Sequence, residues 1–390
     1  MPFEPIAIVG RACVLPGALT PQAFWDAVHD GLDLTGPVPE ELWRLGRGRV
    51  FGDPQEPVAC DRGGYVAGFE QVFDPERYDL DAETIAGLDP LFQWMLHVTG
   101  EALRDAGIEN STRARTGLVA GNLSYPSHSL NRYAEAVWLE SQGIDFLDGR
   151  ALEVAGLDLP ASVNRFMSGH PAQLAASALG LGGEAFCLDA ACASSLYALK
   201  AVCDRLHDRT ADVMVAAAVN RADDLFLHVG FTALQALSPS GQSRPFHREA
   251  DGLLPAEGAA AAALMRLSDA VAAGKQILGV IRGIGLSNDG RSRGLLVPDA
   301  NAQERAMRAA YQNAGLSPRD ISLVECHATG TVVGDAEEIL AMGRVFDGIE
   351  DLPIGSHKSN LGHLITASGM AGLLKILGAL ETEIRPPTLH

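Results

Sequence analysis

Two distant stretches of this chain follow one plan. EALRDAGIENSTRARTGLVAG (101–121) and RAAYQNAGLSPRDISLVECH (308–327) each run from a helical pattern through Ala-Gly-Ile or Ala-Gly-Leu and a polar turn into an apolar strand. Glycine after a helix is a frequent stop signal, so the pairing alone is weak. The segments downstream give it weight: a Gly/Ala/Ser-rich one carrying Cys192 after the first copy, and one carrying Lys358 and His363 after the second. Two similar halves meeting at one site is the simplest reading, with residues 1–255 as the half that holds the cysteine and 256–390 as the half that holds the histidines and the lysine. The length agrees, because 390 residues exceed the usual size of a single core.

Between these landmarks short apolar runs alternate with helical periods, as in an α/β protein. Strands are predicted at 5–10, 116–121, 212–219, 258–267, 277–287 and 321–327. Residues 31–80 are rich in Gly, Pro and charge and show no sustained period; Trp43, Phe51 and Tyr65 would anchor them as an irregular covering loop. No apolar run approaches the ~20 residues that cross a bilayer, and the start MPFEPIAIVG lacks the features of a signal peptide, so a cytoplasmic location is expected. The six cysteines show neither a CxxC pair nor zinc spacing, which points away from disulfides and a structural metal. A formal net charge of −19 argues against a nucleic-acid partner.

The chemistry begins at Cys192. From Ala193 onward Leu196, Leu199, Cys203 and Leu206 mark one face of a helix, which places Cys192 at its N-terminus, where free N–H groups favour a thiolate. A buried thiol at a tight strand-to-helix turn fits the segment equally well. In the second half His327 ends a strand, while Lys358 and His363 precede a small-residue helix; His357 reads as structural. Two histidines and a lysine at element ends in Gly-rich surroundings suit a site of the kind α/β folds build there.

DAACASSL with Cys192, CHATGTVVGD with His327 and KSNLGH with Lys358 and His363 resemble the three active-site motifs of β-ketoacyl synthases, in that family's order. The likeness covers almost the whole chain. LDPLFQW and DAACASSLYALK are most similar to ketosynthase domains of bacterial polyunsaturated fatty acid synthases and iterative polyketide synthases. The resemblance implies a thiolase-like α/β fold, two pseudo-symmetric βαβαβ-type halves in an α/β/α/β/α layering, and a homodimer. It implies decarboxylative Claisen condensation of an acyl-cysteine with malonyl carrier protein, with no resident cofactor because substrates arrive on the phosphopantetheine arm of acyl carrier protein. It makes Cys192 the nucleophile, His327 and His363 N–H donors to the enolate, and Lys358 an electrostatic support for His327. Glu338 would hold Lys358 or His327 in place, Thr329 and Thr331 would bind the pantetheine arm, and Phe231 would line the acyl pocket, although a core aromatic suits that position too.

Ala328 and Cys326 depart from the family pattern without removing a reacting group. The sequence ends at EIRPPTLH, ahead of the Gly-rich GFGGTNAH-like loop of relatives, so it reads as truncated and leaves a non-elongating acyltransferase or a silent partner as the alternative. A thiolase would need a second late cysteine, and none follows Cys326. A papain-like hydrolase leaves the second histidine and the lysine unexplained.

Overall fold

The run GAAAAALMR (258–266) has side chains small enough for a strand to be covered closely on both faces. The computed structural model describes residues 3–40, 42–43, 47–52, 58–127, 130–131, 134, 167–291 and 297–390, and in it this run is central to a sheet. The six strands are β1 (Ile6–Val14), β2 (Thr116–Asn122), β3 (Ala185–Leu188), β4 (Val213–Asn220), β5 (Gly258–Arg266) and β6 (Gly279–Ile281), in the order β3-β2-β4-β5-β1-β6. β2 runs parallel to β3 and β4, whereas β5 lies antiparallel between β4 and β1. A boundary at 255/256 falls just ahead of β5.

Period-two alternation sorts the side chains between two cores. Ala259, Ala261, Ala263 and Met265 of β5 join Met95 and Leu96 of helix Pro90–Asp105 and Ala175 of helix His170–Ala178. Ala260, Ala262 and Leu264 face the other way, towards Leu199, Cys203 and Leu206 of helix Ser194–His207 and Met370 and Leu374 of helix Ser368–Thr382. Leu196 departs from the expected face: it lies against Gly369 in the first turn, beyond the cover of the sheet, and is 46 % exposed.

The near-repeat is structural. After helix Pro90–Asp105, Gly107 takes φ 60° and a 3-10 turn leads into β2; after helix Ala300–Ala314, Gly315 takes φ 63° and a 3-10 turn leads into strand Val324–Glu325. β2 pairs in parallel with β3, and Val324–Glu325 pairs in parallel with Ile354–Gly355.

Four predicted strands form within a residue or a few of their expected ends, and two are shorter. Of 277–287 only Gly279–Ile281 is laddered, because its antiparallel partner β1 begins at Ile6, opposite Ile281, and Pro5 before it has no N–H to donate. Of 321–327 only Val324–Glu325 finds a partner. Within 31–80, Trp43 and Tyr65 are anchors, donating to Asp224 Oδ2 at 2.6 and 3.2 Å. Phe51 is not buried; it is 40 % exposed and only edges Trp43. No helix among the described residues is long and apolar enough to cross a membrane.

Candidate active site

Each half presents its candidate reacting group through the same local device. β3 ends at Leu188, Ala191 takes φ 49°, and a 3-10 turn (Ala191–Ala193) holding Cys192 opens directly into helix Ser194–His207. Left-handed backbone at a non-glycine residue costs about 1–3 kcal/mol, so the surroundings must hold it. They do: Asp189 Oδ1 accepts from Ala191 N–H at 2.9 Å, and Ser194 Oγ accepts from Ala190 N–H at 2.9 Å while donating to the Ala191 carbonyl at 2.7 Å. Strand and turn meet so closely that a Cβ at Gly121 would lie 2.8 Å from Ser194 Cβ.

In the second half Ile365 takes φ 47°, and the 3-10 turn Ile365–Ala367 opens into helix Ser368–Thr382. His363 lies just ahead of this elbow, its backbone fixed by bonds from His363 N–H to Leu254 O at 2.7 Å and from Ala256 N–H to His363 O at 2.9 Å. The two elbows abut, and His363 Nε2 comes 3.0 Å from Cys192 Sγ. His363 Nδ1 accepts from Ile365 N–H at 3.3 Å and lies 2.8 Å from Ser368 Oγ, which assigns its proton to Nε2, facing the sulfur.

His327 enters from the end of Val324–Glu325. Its ring sits edge-on to His363, centroids 5.2 Å apart, and Cys192, His327 and His363 each offer one atom within 4.8 Å of the others. A soft metal ion would need these same atoms; no other such group of three gathers among the described residues. Ala328 takes φ 23° in the tight turn that follows. Glu338 holds that turn through the main chain, accepting from His327 N–H and Ala328 N–H at 2.7 Å each. Of the two expectations for Glu338 the contact is therefore to His327, and no carboxylate among the described residues reaches ion-pair distance of Lys358. Thr329 and Thr331 share a hydroxyl bond of 2.9 Å. These two, Phe231, His327, His363 and Cys192 line one cavity of about 720 Å³.

Electrostatics follow from burial. The Cys192 thiol is pushed up to about 11 by desolvation, against Lys358 and its own backbone N–H, which lower it; the helix-start effect expected from sequence is outweighed at rest. His363 falls well below the usual imidazole range through burial, then through His327, Lys358 and His357. His327, open to the cavity on one side, is also held neutral, by desolvation first and Lys358 next. Burial lowers Lys358, opposed by Glu325 and Glu338. The site thus joins a soft nucleophile, two neutral imidazoles and a buried lysine. Such a set can accept an acyl group and donate N–H bonds to an oxyanion that forms beside it.

Three residues not singled out from sequence belong to the same structure: Ser368 on His363, and Glu325 with Lys375 behind His357. A lone lysine in the apolar helix run SGMAGLLKILGAL, and a glutamate inside the short strand run ISLVECH, were signals that a buried pair existed.

Residues 3–270 match the family model "Beta-ketoacyl synthase, N-terminal domain", and 278–390 match "Beta-ketoacyl synthase, C-terminal domain". Among curated proteins the chain is 36 % identical to a PKS-NRPS hybrid synthetase of Aspergillus candidus and 35 % identical to a phenolphthiocerol/phthiocerol polyketide synthase of Mycobacterium tuberculosis, in each case over 99 % of its length. It spans 15 % and 20 % of those two proteins. Among solved structures it superposes on the PfaC keto synthase–chain length factor with TM-score 0.92 at 37 % identity, covering 99 % of this chain and 43 % of that one. The oxazolomycin ketosynthase domain OzmH KS7 of Streptomyces albus gives 0.84 at 31 %, covering 99 % and 65 %.

Proposed function

The chain belongs to the β-ketoacyl synthase family, and from that premise we propose that it elongates acyl chains held on acyl carrier protein by decarboxylative condensation with malonyl carrier protein. The observation that carries this reading is the 3.0 Å approach of His363 Nε2 to Cys192 Sγ, with His327 beside both. In the first half-reaction the Cys192 thiol loses its proton and the sulfur attacks the acyl thioester carbonyl. The bond to the pantetheine sulfur breaks, and that thiol leaves with a proton. The backbone N–H of Cys192 is one donor to the passing oxyanion.

In the second half-reaction the C–C bond to the malonyl carboxylate breaks and carbon dioxide departs. The electron pair becomes an enolate whose oxygen takes N–H bonds from His327 and His363. Donors fixed in advance where charge develops are worth about 3 kcal/mol each. The enolate carbon then attacks the acyl-cysteine carbonyl, and the bond to Cys192 breaks to release the β-ketoacyl carrier protein. Lys358 supports this step as a charge behind His327, while Thr329 and Thr331 meet the pantetheine arm and Phe231 meets the acyl chain. We further propose a homodimer in the cytoplasm that needs no resident cofactor, making polyunsaturated fatty acid or polyketide chains.

Intact mass after incubation with a medium-chain acyl carrier protein tests the first half-reaction. One acyl adduct is expected, absent in Cys192→Ala; subsequent malonyl carrier protein should discharge it with release of carbon dioxide. An adduct that persists in Cys192→Ala, or one that malonyl carrier protein never discharges, refutes the proposal.

A further inference from the structure

Behind the cavity, and not among the residues that line it, Glu325 gathers three donors. Its Oε1 accepts the main-chain N–H of His357 at 2.7 Å and faces His357 Nδ1 at 2.8 Å; its Oε2 lies 2.7 Å from Lys375 Nζ. The three side chains are 10 %, 1 % and 1 % exposed. Glu325 stands two residues ahead of His327 on its strand. His357 is the residue directly before Lys358. Lys375 lies on helix Ser368–Thr382, whose first residue holds His363 Nδ1. The helix backbone packs directly on the pair, since a Cβ at Gly372 would lie 3.2 Å from Glu325 Cγ and 3.7 Å from His357 Nδ1. One carboxylate therefore touches all three segments that bring His327, Lys358 and His363 together.

We infer that Glu325 is a positioning residue for condensation, fixing the separation of His327, Lys358 and His363 through its contacts with His357 and Lys375. This rests on the condensing reading above. Stability alone does not call for such a trio, because buried ion pairs are often replaced by apolar side chains at little cost or with a gain. What the trio supplies is register between three chain segments, and a shift of about 1 Å at a reacting group can cost on the order of 100-fold in rate. Cys192 is carried by a different elbow, held by Asp189 and Ser194, so its position does not rest on this carboxylate, and Lys358 keeps its charge when Glu325 is replaced.

The test compares the full chain, Glu325→Gln, Lys375→Arg and the double variant Glu325→Gln/Lys375→Met, which leaves no unpaired buried ammonium. Two rates are read for each: acyl transfer to Cys192 by intact mass, and carbon dioxide release from malonyl carrier protein on the acylated chain. Condensation should fall roughly 10- to 100-fold in both Glu325 variants while acylation stays within about twofold, and Lys375→Arg should retain most condensation. Condensation at the wild-type rate in the double variant, or acylation falling in step with condensation in a double variant that melts like the wild type, overturns the inference alone. A wild-type chain that acylates but never condenses overturns the condensing reading, and this inference with it.

Discussion

Ser368→Ala removes a hydroxyl that helps decide which nitrogen of His363 carries the proton. The hydroxyl is buried and lies 2.8 Å from Nδ1, which otherwise keeps only the longer bond of 3.3 Å from Ile365 N–H. A buried neutral hydrogen bond contributes about 1 kcal/mol net, which converts to roughly fivefold between ring arrangements that aim Nε2–H at the reacting centre and those that do not. Condensation should therefore drop roughly fivefold at saturating malonyl carrier protein, against a loss on the order of 10²–10³ for His363→Ala, where the donor itself is gone. Acyl transfer to Cys192 should be unchanged. The assay is carbon dioxide release from a pre-acylated chain, so that loading does not limit the rate. Ser368→Ala as damaging as His363→Ala would mean that the hydroxyl meets substrate; no change at all would mean that the Ile365 N–H fixes the ring unaided. Either result refutes this account of the tautomer.

Three further outcomes are expected. With the Cys192 thiol raised to about 11, alkylation by iodoacetamide should climb roughly tenfold per pH unit through the neutral and mildly alkaline range, and Lys358→Met should move the profile to higher pH; a plateau close to neutrality counts against it. His327, His357 and His363 have folded values below the ordinary 6.5, about 4 for His357 and about 3 for His327. The unfolded chain therefore takes up protons first, and their contribution to stability is lost as pH falls from 6.5 towards about 3; a melting temperature that stays flat across that window refutes it. Phe231→Ala should move the ratio of long to short acyl carriers accepted in competition by about tenfold, given about 1–3 kcal/mol per methylene discriminated in a pocket, and an unchanged ratio removes Phe231 from the acyl path.

Much of this organisation was legible because it rests on local rules. Glycine stops at 107 and 315, runs of small apolar residues in the central strands and the helix period after Ala193 are written within short windows of sequence. The motifs around Cys192, His327, Lys358 and His363 are equally local, and their resemblance to a known family names the chemistry. The features that were missed depend on contacts between distant segments. Nothing near Leu196 says that Gly369 will stand beside it, and the brevity of the strand at 279–281 reflects where its partner β1 begins, at the other end of the sequence. Glu325 and Lys375 each stand out as a lone charge in an apolar run, but nothing in the sequence pairs them until a fold sets them 2.7 Å apart. The thiol's raised value belongs to the same class, because a helix start is visible in sequence and the protein mass around it is not.

The paired elbows at Ala191 and Ile365 make the reaction centre a seam. Sulfur comes from one side and imidazole from the other, across a gap of 3.0 Å. The helices behind the two elbows share one core, so a slip of a fraction of that distance would silence the chemistry with every helix still wound. An acyl group on Cys192 would lie against both sides, since Cys192 and His363 line the same cavity, and would work as a rivet. On the condensing reading, the unacylated chain should therefore lose condensation before its fold, and a chain caught with an acyl group on Cys192 should lose the two together.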